Sequence, residues 1–281
     1  MLLSIITPVF NRSQFLFKIA ESIRQQKNVD FSDFEWIVVD DGSTDDVGQV
    51  MQSLLLDCDF NIKFIRKNNG GKHSAINVGL NHVSSLYTVI LDSDDVLVTG
   101  TLQYILRCIK ENPCEIMAFL HSLSKPKKNT LDCYTLTQFL QINTEAVFCV
   151  NSEVFKNNNF PEFFGERFLT ESVVWNNLIN MYGLTVFNKV VVEGEYLSDG
   201  LSNRYSELVR ANPIGCIELI KVNSKINFFD KNLIKQSLYH YSFLISYKNN
   251  MKLMSEIGMA KSMVIIAGSI LVRCKRSLRF G

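Results

Sequence analysis

Several clusters of side chains in this chain have the types and spacing to do chemistry. The densest is YTVILDSDD, Tyr87 to Asp95, where an apolar, β-branched run stops on Asp92, Asp94 and Asp95. Such a run suits a buried parallel strand covered on both faces. Carboxylates crowded at its tip cost on the order of several kcal/mol in self-repulsion unless water or a cation relieves them. Hard oxygens at this spacing suit Mg²⁺ or Mn²⁺, with substrate phosphates completing the shell. An acidic turn capping the next helix, which Asp94 or Asp95 could do alone, is the plain alternative.

A second cluster ends the run EWIVVDDGSTDD. Asp40 and Asp41 fall at a strand tip, Gly42 permits a tight turn, and Ser43, Thr44 or Asp45 can cap the following helix. A carboxylate in that place can also accept hydrogen bonds from a ribose or a base N–H. In the third, NNGGKHSAINVGL (68–80), two glycines open a helix. Backbone N–H groups at such a start favour a phosphate, and Lys72 or His73 would add charge. The fourth, GERFLTESVVWNN (165–177), brings Glu166 and Glu171 to the entry of a helix. Glu171 is there either an acid favoured by the helix dipole or a general base for a hydroxyl nucleophile. EYLSDGLSN (195–203) sets Tyr196, Asp199 and Ser202 around an ordinary glycine turn.

The elements that must position these groups alternate through the first half. Strands are expected at Leu3 to Thr7, Glu35 to Asp40, Ile62 to Arg66 and Tyr87 to Leu91. Helices are expected at Gln14 to Gln26, Asp45 to Leu56 and Lys72 to Val83. This order implies a parallel sheet with right-handed crossovers, whose polar loops line one edge. That edge is the expected site. Beyond it, residues 120 to 135 read as a polar, basic loop. Glu145 to Val150 and Val186 to Val192 read as strands, Glu171 to Met181 as a helix, and everything from about Pro213 as mostly helical.

Composition narrows the classes. A formal charge of +1 argues against a nucleic-acid binder that relies on a large basic field. Seven scattered cysteines without a CxxC pair suit free thiols, and the four histidines lack metal-ligand spacing, although one could join the carboxylates. No GxGxxG and no GxxxxGK[ST] loop is present. The apolar N-terminus lacks a basic leader, and no run reaches the roughly 18 apolar residues of a membrane span. The closest, MVIIAGSILV (263–272), is followed by Arg273, Lys275, Arg276 and Arg279. It reads either as a packed terminal helix or as a peripheral contact with an anionic membrane surface.

Taken in order, SIITPVFNR, EWIVVDDGSTD, NNGGKHSAINVGL, VILDSDD, FPEFFGERFLTESVVW and EYLSDGLSN resemble the family 2 inverting glycosyltransferases of the GT-A fold. The resemblance implies an α/β, mostly parallel Rossmann-like sheet flanked by helices, with a helical C-terminal appendage. Residues 1–212 would form the transferase domain (1–95 the nucleotide half, 96–212 the acceptor half) and 213–281 the helical region. It implies a nucleotide-sugar donor, most often a UDP-sugar, with Mn²⁺ or Mg²⁺, and a saccharide or lipid-linked saccharide acceptor. It also implies a hexosyltransferase of cell-surface polysaccharide or glycolipid synthesis, cytoplasmic or peripheral on the inner face of the cytoplasmic membrane.

Carried over by position, Thr7, Pro8 and Asp41 contact the nucleoside. Lys72 meets the nucleotide or its phosphates, and Ser93 belongs to the same nucleotide-sugar site. Asp92 and Asp94 match the DxD pair, with Asp94 the direct metal ligand. Glu171 falls where the family carries its base, but many members have Glu-Asp there with the Asp as base, whereas this chain has Glu171-Ser172. A non-catalytic relative that binds a nucleotide-sugar or a partner enzyme is therefore the alternative. A nucleotide-sugar-making nucleotidyltransferase is disfavoured, since PVFNR replaces the glycine-rich loop it needs after the first strand.

Overall fold

Every residue of Leu3–Val9 and of Phe34–Asp40 is buried, as strands covered on both faces must be. A computed structural model describes residues 1–124, 132–142, 144–194, 200–201 and 203–280. The strands are β1 (Leu3–Val9), β2 (Phe34–Asp40), β3 (Asn61–Arg66), β4 (Tyr87–Ile90), β5 (Val96–Leu97), β6 (Ile116–His121), β7 (Asp132–Tyr134), β8 (Ala146–Asn151) and β9 (Leu184–Glu193). The helices of the first two-thirds are α1 (Ser13–Arg24), α2 (Val47–Asp57), α3 (Lys72–Asn81), α4 (Thr101–Glu111), α5 (Leu136–Ile142), α6 (Ser152–Asn157) and α7 (Ser172–Tyr182). Then come α8 (Tyr205–Ala211), α9 (Pro213–Asn227), α10 (Lys231–Tyr241), α11 (Tyr247–Ile257) and α12 (Met259–Phe280).

The strand period of two sorts the core into layers. Leu3, Ile5, Trp36 and Val38 face one side and pack with Leu16 and Ile19 of α1, Met51 of α2 and Ile105 of α4. Ile6, Ile37 and Val39 face the other and pack with Ile76 of α3, Leu178 of α7 and Leu219 of α9. Helices thus cover both faces, and β1 to β4 pair in parallel, in the order β3-β2-β1-β4.

The sheet then reverses. β8 inserts antiparallel between β4 and β6, and the order continues β8-β6-β9-β5, with β7 also on β9. β6 and β9 run with the first four strands, whereas β5, β7 and β8 oppose them, so the sheet is mixed but mostly parallel. The fold class is the one expected, and the seven cysteines are free.

The region after residue 212 is helical, but it is not set apart. Val209, Ile217, Tyr241, Leu253 and Ile265 make a core of their own, while Leu219 and Leu233 belong to the core beneath the sheet. The buried Asn176 amide on α7 donates to Asn223 Oδ1 at 2.8 Å and Gln236 Oε1 at 2.7 Å, tying α9 and α10 to α7.

Candidate active site

The loops after β1 and β2 are stitched together. Asn11, at φ +52°, donates its N–H to Ser43 Oγ at 2.9 Å and accepts the Thr44 N–H at 2.8 Å. Ser13 N–H donates to Asp45 at 2.9 Å. At the β2 tip, Asp40 is fully buried, accepts the Ser43 N–H at 2.8 Å and lies 3.4 Å from the Arg66 guanidinium. Asp41 is 2 % exposed and takes the N–H groups of Gly70 at 2.9 Å and Gly71 at 2.7 Å, with the Lys67 ammonium at 2.8 Å. Those two glycine amides are therefore spent on Asp41, not left open for a phosphate. Thr7 is fully buried, and its hydroxyl accepts the Trp36 indole N–H at 2.9 Å. Pro8 is buried beside it in β1.

The β4 tip differs. Asp92, Ser93, Asp94 and Asp95 are all part-exposed. Lys72, the first residue of α3, places its ammonium 2.8 Å from both Asp92 oxygens and 2.6 Å from Glu171 Oε1. Glu171 stands at the N-cap of α7 without capping it, and its Oε2 accepts the Trp175 indole N–H at 3.1 Å. One cation thus serves two acids. Burial, helped by Glu171 and Asp95 and opposed by Lys72, raises Asp92 to about 6. Burial works against the Glu171 charge too, but Lys72 and Trp175 outweigh it and lower its pKa. Burial disfavours the Lys72 ammonium, yet the two acids overcome that and raise it.

What brings Glu171 to Lys72 is the loop before α7. Asn77 of α3 pins it at both ends of its amide, donating to the Phe160 carbonyl and accepting the Phe160 N–H. Glu162 accepts from Ser74 and Asn77. Further on, the Arg167 and Phe168 N–H groups donate to Asn212, and Glu166 accepts the Ile214 and Gly215 N–H groups at the start of α9. Glu166 is thus a helix cap. Gly71, at φ +94°, lies so close beneath the loop that a Cβ would fall 1.9 Å from the Arg167 carbonyl oxygen. Only glycine fits there.

His121, at the end of β6, is a site neighbour without a motif to announce it. Its Nε2 lies 3.2 Å from Asp95, and its Nδ1 accepts the Leu123 N–H at 3.1 Å. That second bond leaves the proton on Nε2, so the ring donates to Asp95. Burial alone would lower the His121 pKa, but Asp95 raises it. A Cβ on Gly194 would meet the Asp95 carboxylate, which would have to turn aside to admit it. The only sequence signal for His121 was its place at the end of an apolar run, the place Asp92 occupies. Tyr196, Asp199, Ser202 and residues 125–131 of the expected 120–135 loop lie outside the described residues, while the ends of that segment belong to β6 and β7 rather than to a loop.

A divalent cation fits this site only as a shared ligand. Among the described residues no group of three or more His, Cys, Asp or Glu side chains forms a ready cage. Asp94 bonds no other side chain among those residues, and its carboxylate with that of Asp92 offers the few hard oxygens to which Mg²⁺ or Mn²⁺ adds substrate phosphates.

The comparisons agree with this architecture. S. aureus TarS in complex with UDP-GlcNAc has a similar structure, with a TM-score of 0.63 at 17 % identity, over 99 % of this chain and 92 % of that one. The mannosyltransferase PcManGT from Pyrobaculum calidifontis, in complex with GDP-Man and Mn²⁺, gives 0.61 at 16 % identity, over 99 % and 80 %. The fold is thus of the GT-A type. The model of the family described as Glycosyl transferase family 2 matches residues 4–179, and the chain belongs to that family.

Among curated proteins, the Campylobacter jejuni GalNAc(5)-diNAcBac-PP-undecaprenol beta-1,3-glucosyltransferase is 26 % identical over 87 % of this chain and 82 % of its own length. An uncharacterized glycosyltransferase of Rickettsia bellii is 30 % identical over 57 % of this chain, which spans only 20 % of that protein. A Staphylococcus epidermidis teichoic acid poly(glycerol phosphate) polymerase is 33 % identical over 46 % of this chain and 18 % of its own length.

Proposed function

We propose that the chain is an inverting glycosyltransferase that moves a sugar from a nucleotide diphosphate, a UDP-sugar in the first instance, to an acceptor hydroxyl. The observation that carries this reading is the single Lys72 ammonium joining Asp92 on the DSDD loop to Glu171 at the start of α7. It gathers a diphosphate-facing cation, a metal-type carboxylate and a candidate base at one sheet edge. The UDP-GlcNAc complex of TarS supports the donor class, and the Campylobacter relative supports a lipid-linked saccharide acceptor in surface-glycan synthesis.

In this reading Pro8 and Asp41 border the nucleoside. Asp41 acts by holding the Gly70–Gly71 turn, and Thr7 by fixing Trp36 behind it. Lys72 and Ser93 face the diphosphate. A divalent cation on Asp94 and Asp92 would neutralise charge on the departing diphosphate. Glu171, released from Lys72 when the ammonium turns to the phosphates, takes the proton of the acceptor hydroxyl as it attacks the anomeric carbon. One displacement inverts that carbon. Holding both reactants at the edge lowers the entropic part of the barrier.

Calorimetric titration with UDP, GDP, CDP and TDP, with and without Mn²⁺, tests the donor side. Metal-dependent binding of one diphosphate is expected, and no binding to any of them would remove the reading. Ser172, where many relatives carry the acidic base, supports a second reading: a relative that binds donor and transfers nothing. Donor binding with neither transfer nor slow donor hydrolysis would select it.

A further inference from the structure

The last helix has its polarity reversed. On α12 the side turned into the protein carries Ser262 and Ser269, both fully buried, beside Ile265. Their hydroxyls are satisfied by carbonyls, Ser262 by that of Gly258 and Ser269 by that of Leu238 on α10. The side turned outward carries Met259 (64 % exposed), Met263, Val264, Ile270 and Leu271 (65 % exposed), with Ala260 and Ala267 between them. At 100° per residue these fall in one stripe along the helix. A helix on a water-facing surface shows the opposite pattern. The neighbouring α11 adds Tyr247 and Met251, one turn apart and also exposed.

Charge says what covers this face. From Gly258 to Gly281 the sequence holds Lys261, Arg273, Lys275, Arg276 and Arg279 and no acid. Arg273 and Lys275 are exposed and fall on opposite flanks of the stripe, while Arg276 is drawn inward over the Phe243 ring at 3.9 Å. No helix among the described residues is long and apolar enough to cross a membrane. A second copy laid on the stripe would bring the same cations to the same interface, where like charges repel. An anionic surface with an apolar interior satisfies both halves of the pattern.

We propose that the outward face of α12 docks on an anionic lipid bilayer, with the helix lying in the plane of the headgroups. Met263 and Leu271 enter the acyl boundary, and Arg273 and Lys275 meet lipid phosphates. The proposal stands apart from the transfer reading, since it concerns a surface rather than the site.

The test is flotation of the full chain with vesicles of phosphatidylcholine alone or mixed with phosphatidylglycerol, alongside light scattering for molecular mass. The protein should float with the anionic vesicles and remain behind with the neutral ones. Met263→Glu together with Leu271→Glu should abolish flotation while leaving the circular dichroism spectrum and thermal midpoint unchanged. Arg273→Gln and Lys275→Gln, which leave the apolar face intact, should each weaken vesicle affinity about fivefold. The proposal is overturned by failure to float with either vesicle, by equal flotation with both, or by a dimer that the Met263→Glu, Leu271→Glu variant splits into monomers. The last outcome would give the face to a second copy.

Discussion

At the tip of β2 Asp41 is saturated; at the tip of β4, two strands away in the sheet, Asp92 and Asp94 are not. Asp41 is enclosed by two backbone N–H groups and Lys67. Asp94 bonds no side chain among the described residues, and Asp92 shares its one cation with Glu171. A carboxylate surrounded by fixed donors has been used to build the loop beside it. One held by a single flexible ammonium can exchange that partner for a ligand. On the proposed function, the first tip has a structural part and the second a part in the chemistry.

The largest test of this contrast is Asp94→Asn. It should eliminate Mn²⁺-dependent nucleotide binding in calorimetry while moving stability by less than about 0.5 kcal/mol. Retained metal-dependent affinity would take the β4 tip out of the site. Next is Glu171→Gln, which should cut transfer by roughly 10² or more with donor affinity nearly unchanged. Wild-type turnover in that variant would place the base elsewhere. Asp41→Asn should instead show itself in a urea melt, costing roughly 2–4 kcal/mol because Lys67 and a glycine amide lose a buried charged partner. If its stability were untouched and only donor affinity fell, the β2 tip would be a ligand contact and the contrast would fail. The smallest effect expected is from His121→Ala. Loss of its bonds to Asp95 and to the Leu123 N–H should slow transfer about fivefold and cost roughly 1–2 kcal/mol in the melt.

Much of this was legible along the chain because it is local. The runs SIITPV, EWIVVD and YTVIL fixed three strands, and their parallel pairing follows from the helices between them. The reversal at β8 was not legible, since an apolar run such as AVFCV reads alike in either direction and its partners lie far away in sequence. At the site, Asp92, Lys72 and Glu171 were each singled out, and the fold brings them together. That Asp41 would consume the amides of Gly70 and Gly71 could not be read, because the pairing spans about thirty residues and depends on where the loop lands. The helical end was legible as helix but not as support. Only the fold shows Asn212 and the start of α9 holding the loop that carries Glu171.

Gly71 and Lys72 are neighbours on that chain of contacts, yet selection should see them differently. Nothing larger than hydrogen fits between Gly71 and the Arg167 carbonyl. In a saturation library sorted for protein abundance, position 71 should therefore tolerate no replacement. Position 72, whose side chain reaches part-exposed acids, should tolerate many. Sorted for product, both columns should empty. The difference between the two maps would mark where the scaffold ends and the reaction begins, one residue apart.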